Sequence, residues 1–393
     1  MKKVCIKLVL LILLLPLLTS CYSQTELNDM MIATAIGVDK STTGYEVTLQ
    51  VLNPSEVAGT SGKTTQPGIS CYSESGETFF HAIRRLTHVT PRKIFLGHIR
   101  FVLFSEGVSQ DGIIEPLDFL MRDHEMRSDF ALLVSKDISA KKVLEVLSPI
   151  EQIPANKIIN GLSASEDFYG PSLEVELEEF YQHYLSGGIE PVMNGITVLG
   201  NSESGKEMTS LEQTTPKAVL KVKYIALFKK DMFIGWLNET ESLGFNYLIN
   251  EIDNTVIVVM TETGAYTFEV TKAETKIELV KPPASFNVVT TLNVTLGEAP
   301  TGFVKGKEGI NQLTSLVEAK VGDYMSSCVD RLQEEQTDNV GFGQVVNRKA
   351  PSVWKVVEEE WETLFPTITV DYQVDVEMTH NGQLSDDESE DEG

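Results

Sequence analysis

Between residues 307 and 335 the apolar side chains Ile310, Leu313, Val317, Val321, Tyr324, Cys328 and Leu332 recur at steps of three and four. That spacing puts them on one side of an α-helix. Thirty helical residues span about 45 Å. A helix of this length with a single apolar stripe must lie across a sheet or a partner. The closing strand is equally clear, because Ile368, Val370, Tyr372, Val374, Val376 and Met378 alternate with polar or charged residues. Such a strand buries one face and wets the other.

The rest of the chain mixes the two periods. Met31 to Asp39 and Tyr45 to Val51 alternate around the turn chemistry of 40–44, which predicts a hairpin. Residues 54–68, rich in Ser, Thr, Gly and Pro, read as an exposed loop. Helix is then expected over Thr78–Val89, strand over Ile94–Phe104, helix over Ile113–Arg122, strand over Phe130–Val134 and helix over Ala140–Leu147, with further helices near 151–162 and 172–185. Ser186-Gly187-Gly188 and Pro191 break the pattern, and 200–216 reads as a surface loop. Strands follow at 217–230, 231–236 and 254–270, with a helix near 239–250. The last unit reads strand 285–296, long helix, helix, strand. The fold class is therefore α/β (α+β), with three domains, each a mixed or antiparallel sheet flanked by helices. Their expected bounds are 21–190 (N-terminal α/β), 191–280 (middle, strand-rich) and 281–382 (C-terminal, with the long helix). Residues 383–393 form an acidic tail too charged to bury anything, so it should be disordered.

The N-terminus sets the compartment. Lys2, Lys3 and Lys7 precede an uncharged apolar run from Leu8 to Leu18, and Leu18-Thr19-Ser20-Cys21 follows. This is a signal peptide at 1–20, too short to span a bilayer. A cysteine just after small residues has the pattern of a bacterial lipoprotein signal. Cys21 would become the new N-terminus and carry diacylglyceryl and N-acyl lipid, and two or more acyl chains hold a protein stably to a membrane.

Without residues 1–20 the chain keeps 29 basic against 57 acidic groups, a formal charge of −28. That balance argues against nucleic acid and against adhesion to anionic lipid through a basic face. Of four cysteines, Cys5 leaves with the signal and Cys21 takes the lipid. Cys71 and Cys328 remain, far apart in sequence. A disulfide between them is possible in an oxidising compartment, but Cys328 sits on the apolar stripe as a core thiol would.

Catalytic signals are weak. The six histidines show no His-Glu-x-x-His spacing, and neither Cys-x-x-Cys nor Gly-x-Ser-x-Gly occurs. His124-Glu125 reads as an exposed turn rather than a metal site, and 302–307 fails the phosphate-loop spacing. The expectation is no enzyme, no metal and no cofactor beyond the lipid. Asn339-Val340-Gly341-Phe342-Gly343 stands out, because glycines on both sides of an aromatic permit positive φ. It reads either as a helix C-cap and turn whose Phe342 plugs the core or as a partner-binding tip. Trp354 and Trp361 share a predicted helix with Val357, in packing or at an interface, where Trp is enriched. Gly341, Phe342, Gly343, Trp354 and Trp361 are the candidate partner-binding residues, with the long helix as a second docking surface.

The start Cys21-Tyr22-Ser23-Gln24-Thr25-Glu26-Leu27-Asn28-Asp29, running into Ala35-Ile36-Gly37-Val38-Asp39-Lys40, resembles the Ger(x)C lipoproteins, the C subunits of spore germinant receptors. Val51-Leu52-Asn53-Pro54-Ser55-Glu56, Pro91-Arg92-Lys93 with Gly97-His98, and Leu117-Asp118-Phe119-Leu120 with Arg122-Asp123 resemble the same family. So do Gly341-Phe342-Gly343, Arg348, Pro351, Trp354, Trp361 and Phe365-Pro366 in order. Tyr22 and Ser23 depart from the Trp and Asp that often follow the lipidated Cys, and the acidic tail is an addition. The resemblance implies a three-domain α/β lipoprotein on the outer face of the spore inner membrane. It would be a non-catalytic subunit that associates with integral-membrane A and B type subunits in a complex sensing small nutrients. The alternative is a free-standing solute-binding lipoprotein feeding a transporter, which should show two similar lobes; the chain shows no lobe repetition. A secreted hydrolase would need a nucleophile or metal set that the sequence does not offer.

Overall fold

The computed structural model describes residues 30–57, 66–300 and 307–380. The leader, Cys21, nearly all of the 302–307 link and the acidic tail lie outside them. The expected hairpin forms: β1 (Met30–Ser41) turns into antiparallel β2 (Gly44–Leu52), and β3 (Ile69–Gly76) pairs with β2. On its other edge β1 pairs in parallel with β4 (Lys93–Phe95) and β5 (Phe101–Ser105). The single strand expected over Ile94–Phe104 is thus two pieces. Residues 96–100 loop out because Leu96 and Ile99 both turn into the core, and the Arg100 N–H donates to the Thr34 carbonyl at 2.8 Å to resume the pairing.

β6 (Ala131–Ser135) and β7 (Val192–Gly200) continue in parallel, and β8 (Ala218–Lys229) and β9 (Met232–Leu237) finish antiparallel. The result is a mixed nine-stranded sheet in the order β3-β2-β1-β5-β6-β7-β8-β9, with β4 beside β1. Every residue of β5 and β6 is buried, as expected of central parallel strands covered on both faces. The covering helices are α1 (Phe79–Arg85), α2 (Glu106–Asp111), α3 (Ile114–Arg122), α4 (Ala140–Leu144), α5 (Pro154–Phe168) and α6 (Leu177–Leu185). α4 and α5 bury their apolar sides on one face, and α1, α3 and α6 on the other. α6 starts later than expected because the chain before it is extended, with Glu176 bridged to Ala131.

After α7 (Glu239–Ile249) comes a second sheet, β10 (Thr255–Thr261), β11 (Gly264–Lys281), β12 (Ser285–Glu298) and β13 (Thr369–His380), paired in that order. The strand expected over 254–270 is a tight hairpin, since Thr261 pairs with Gly264. α8 (Lys307–Glu334) lies across this sheet and buries Leu313, Val317, Val321, Met325, Cys328 and Leu332. α9 (Phe342–Lys349) and α10 (Pro351–Val357) lead through short helical turns to β13. Trp354 and Trp361 do not share one continuous α-helix; a 3₁₀ turn at Glu358–Glu360 separates them.

The segment 191–280, expected as a strand-rich domain of its own, is divided between the two sheets. β7 pairs with the free edge of β6 and carries β8 and β9 into the large sheet, while β10 and β11 open the small one. One continuous apolar core runs from the large sheet past α7 to α8. Among the described residues no helix is long and apolar enough to cross a membrane.

Candidate functional site

The segment singled out by its paired glycines lies where the two sheets meet, and it is a junction rather than a tip. Gly341 has φ of 92° and caps the N-terminus of α9, so the helix begins here instead of ending. Phe342 is 0 % exposed. Its ring packs against Phe286 of β12 at 5.0 Å between centroids and against Phe365 at 6.1 Å. Gly343 is buried too, and Trp354 and Trp361 are nearly so, edge to face at 5.5 Å. The structure therefore brings these five residues together, and of the two readings of this segment the core plug is the one it shows: the ring of Phe342 does not project. The helix-capping turn needs a side chain on the core side, and an aromatic there gains more from burial than from water.

The organiser is Asp338, which sequence reasoning missed. Its Oδ1 accepts from the N–H groups of Gly341 (2.7 Å) and Phe342 (3.0 Å), and its Oδ2 from Gly343 N–H (2.7 Å) and Trp361 Nε1–H (3.0 Å). The signal was present, because Asp before a helix start commonly satisfies its free N–H groups. Burial pushes the Asp338 carboxyl up to about 6, against the four donors, which pull it down. Next to it, Asn339 Nδ2 donates to the carbonyls of Pro191 (2.7 Å) and Phe228 (3.0 Å).

The other half of the junction is the glycine pair read only as a break. Gln344 N–H donates to the Gly188 carbonyl at 3.0 Å, and Glu190 N–H to the Asp338 carbonyl at 2.8 Å. A Cβ on Gly343 would lie 2.6 Å from the Gly188 Cα, so the two backbones approach as only glycine allows. A polar cleft of about 370 Å³ opens beside the junction, with Lys230 3.7 Å from Glu190 and Lys229 paired with Glu362. Desolvation raises the Glu190 carboxyl, and its bonds to Lys230 offset part of that. This arrangement holds no nucleophile with a base. It can fix the angle between two sheets through buried hydrogen bonds, which is a mechanical role.

His124-Glu125 is an exposed turn whose Glu125 pairs with Lys93 at 2.8 Å. Among the described residues no group of three or more His, Cys, Asp or Glu side chains could hold a metal. Cys71 and Cys328 are both free thiols.

The chain matches two families in succession: the spore germination protein N-terminal domain over residues 23–198 and the spore germination B3/GerAC-like C-terminal domain over 223–382. It is 26% identical to spore germination protein KC of Bacillus subtilis (strain 168), covering 97% of each chain. To spore germination protein B3 of the same organism it is 22% identical, covering 93% of this chain and 95% of that one. The crystal structure of the GerBC protein shares the fold, with a TM-score of 0.54 at 18% identity, covering 88% of this chain and 96% of that one. Two family matches in order, over most of the chain, the first ending within β7 and the second starting within β8, show that the chain belongs to the Ger(x)C family of spore germination proteins, the germinant receptor C subunits.

Proposed function

We propose that this chain is the lipid-anchored, non-catalytic subunit of a nutrient germinant receptor. Diacylglyceryl and N-acyl groups on Cys21 would hold it on the outer face of the spore inner membrane, where it assembles with integral-membrane A and B type subunits. The observation that carries this reading is the joint one of the lipoprotein signal ending at Cys21 and the family match beginning at residue 23. Nine Cα steps separate Cys21 from Met30, so β1 would start within about 32 Å of the anchor. Confinement to that layer raises the effective concentration for membrane partners, and modest interfaces then suffice. With Phe342 buried, the outward side of α8, where Leu316 is exposed, is the remaining docking candidate.

The test is mass analysis of the N-terminal peptide from native membranes, with co-purification of the membrane subunits. A tri-acylated Cys21, loss of the membrane fraction in Cys21→Ala, and recovery of both subunits with the wild type are expected. An unmodified N-terminus in a freely diffusing protein would overturn the reading.

A further inference from the structure

On the face of the large sheet covered by α5, a cavity of about 680 Å³ opens between α5, the loop 148–151 and the first half of β8. Its size falls in the range of small-molecule sites. Ile158, Pro216, Ala218, Leu220 and Val222 give it an apolar wall. On the rim Ile150 is 97 % exposed, an aliphatic side chain with nothing over it.

Among the described residues, two polar side chains in this wall lack a protein partner, and one of them, Ser148, is buried. Lys157 is half-buried and, among the described residues, its amine makes no ion pair and no hydrogen bond. Desolvation alone lowers its pKa, with no acidic neighbour to raise it. Lys141, Lys206, Lys223 and Lys229, by contrast, each pair with a carboxylate. Ser148 is buried in the same wall, and its hydroxyl has no partner. A buried donor left unpaired costs free energy that a bound acceptor returns. Gly161 completes the site from α5: a Cβ built there meets nothing within 4 Å. Glu151 also lies on the rim and disfavours any negative group of the occupant that Lys157 does not neutralise.

We propose that this cavity binds a small amphiphilic monocarboxylate, its aliphatic tail against Ile158, Leu220 and Val222 and its carboxylate accepting from Lys157 Nζ and the Ser148 hydroxyl. The ammonium supplies a charge-assisted hydrogen bond, and the apolar wall supplies affinity roughly in proportion to tail length. The site is separate from the sheet junction, and the inference does not depend on lipid anchoring or receptor assembly.

The experiment titrates the full chain with sodium decanoate and with 1-decanol, both below the concentration at which they aggregate, by calorimetry. Decanoate should bind about tenfold or more tightly than decanol, the discrimination expected of a charge-assisted bond. Lys157→Met should bring decanoate down to the affinity of decanol and leave decanol unchanged. Gly161→Phe, which fills the cavity from an open helix position, should abolish binding of both while the melting temperature holds. Equal binding of the two probes by the wild type, no binding of decanoate at millimolar concentration, or decanoate binding untouched by both substitutions would each overturn the proposal.

Discussion

The indole Nε1–H of Trp361 donates to Oδ2 of Asp338 at 3.0 Å across 23 residues, with both side chains buried. Through this bond the turn that precedes β13 is tied to the turn that opens α9, and through Asn339 and Gly188 to the large sheet. Asp338→Ala would orphan four buried donors and should lower stability by about 3 kcal/mol or more. Trp361→Phe, which loses one bond and keeps most of the packing, should cost clearly less. Urea denaturation of the two variants beside the wild type measures both.

The same carboxylate makes stability depend on pH. Its folded value of about 6 lies above the ordinary 3.8, so between those values the folded chain keeps a proton that the unfolded chain releases. Stability from this group is therefore full below pH about 4 and falls as pH rises to about 6. The shift corresponds to roughly 3 kcal/mol. Asp338→Asn cannot titrate, so its stability relative to the wild type should improve across that window and level off above it. Thermal melts of both proteins from pH 4 to 7 give the comparison, and parallel curves would refute it.

Phe342→Ala removes a fully buried ring from the contact with Phe286 and Phe365. A loss of about 3–5 kcal/mol is expected, as for other buried aromatic truncations. An exposed docking tip would instead leave the denaturation midpoint unchanged.

Two helix glycines should respond in opposite directions to alanine. A Cβ on Gly244 of α7 would overlap the Tyr324 carbonyl of α8, so Gly244→Ala should destabilise by about 3 kcal/mol. Gly322 in α8 faces open space, and Gly322→Ala should stabilise by about 1 kcal/mol through helix propensity. Circular-dichroism melts distinguish them.

Neither body thiol should react in the native state. Desolvation pushes the thiol of half-buried Cys71, which donates to the Leu144 carbonyl at 3.5 Å, up to about 12, and burial pushes the Cys328 thiol well above its ordinary value. Iodoacetamide at pH 8 followed by peptide mass analysis should find both unmodified until denaturant is added, and no disulfide between them.

Local periodicity alone determined the long helix, the closing strand, the first hairpin and the α/β class, because a stripe or an alternation is a property of neighbours in the chain. The stripe from Leu313 to Leu332 is the face that α8 buries. The family resemblance was legible for the same reason, as short runs of contiguous residues. Tertiary structure decided the rest. Whether Phe342 projects or plugs depends on Phe286 and Phe365, which stand far from it in sequence and beside it in space. The Ile94–Phe104 run reads as one strand until Leu96 and Ile99 are required to reach the core. Residues 191–280 read as one unit until β6 offers an edge to β7. Lys157 and Ser148 look ordinary in the chain, and only folding gathers them in one wall, neither with a side-chain partner among the described residues. Burial, pairing and desolvation are relations between distant residues, and a linear pattern carries none of them.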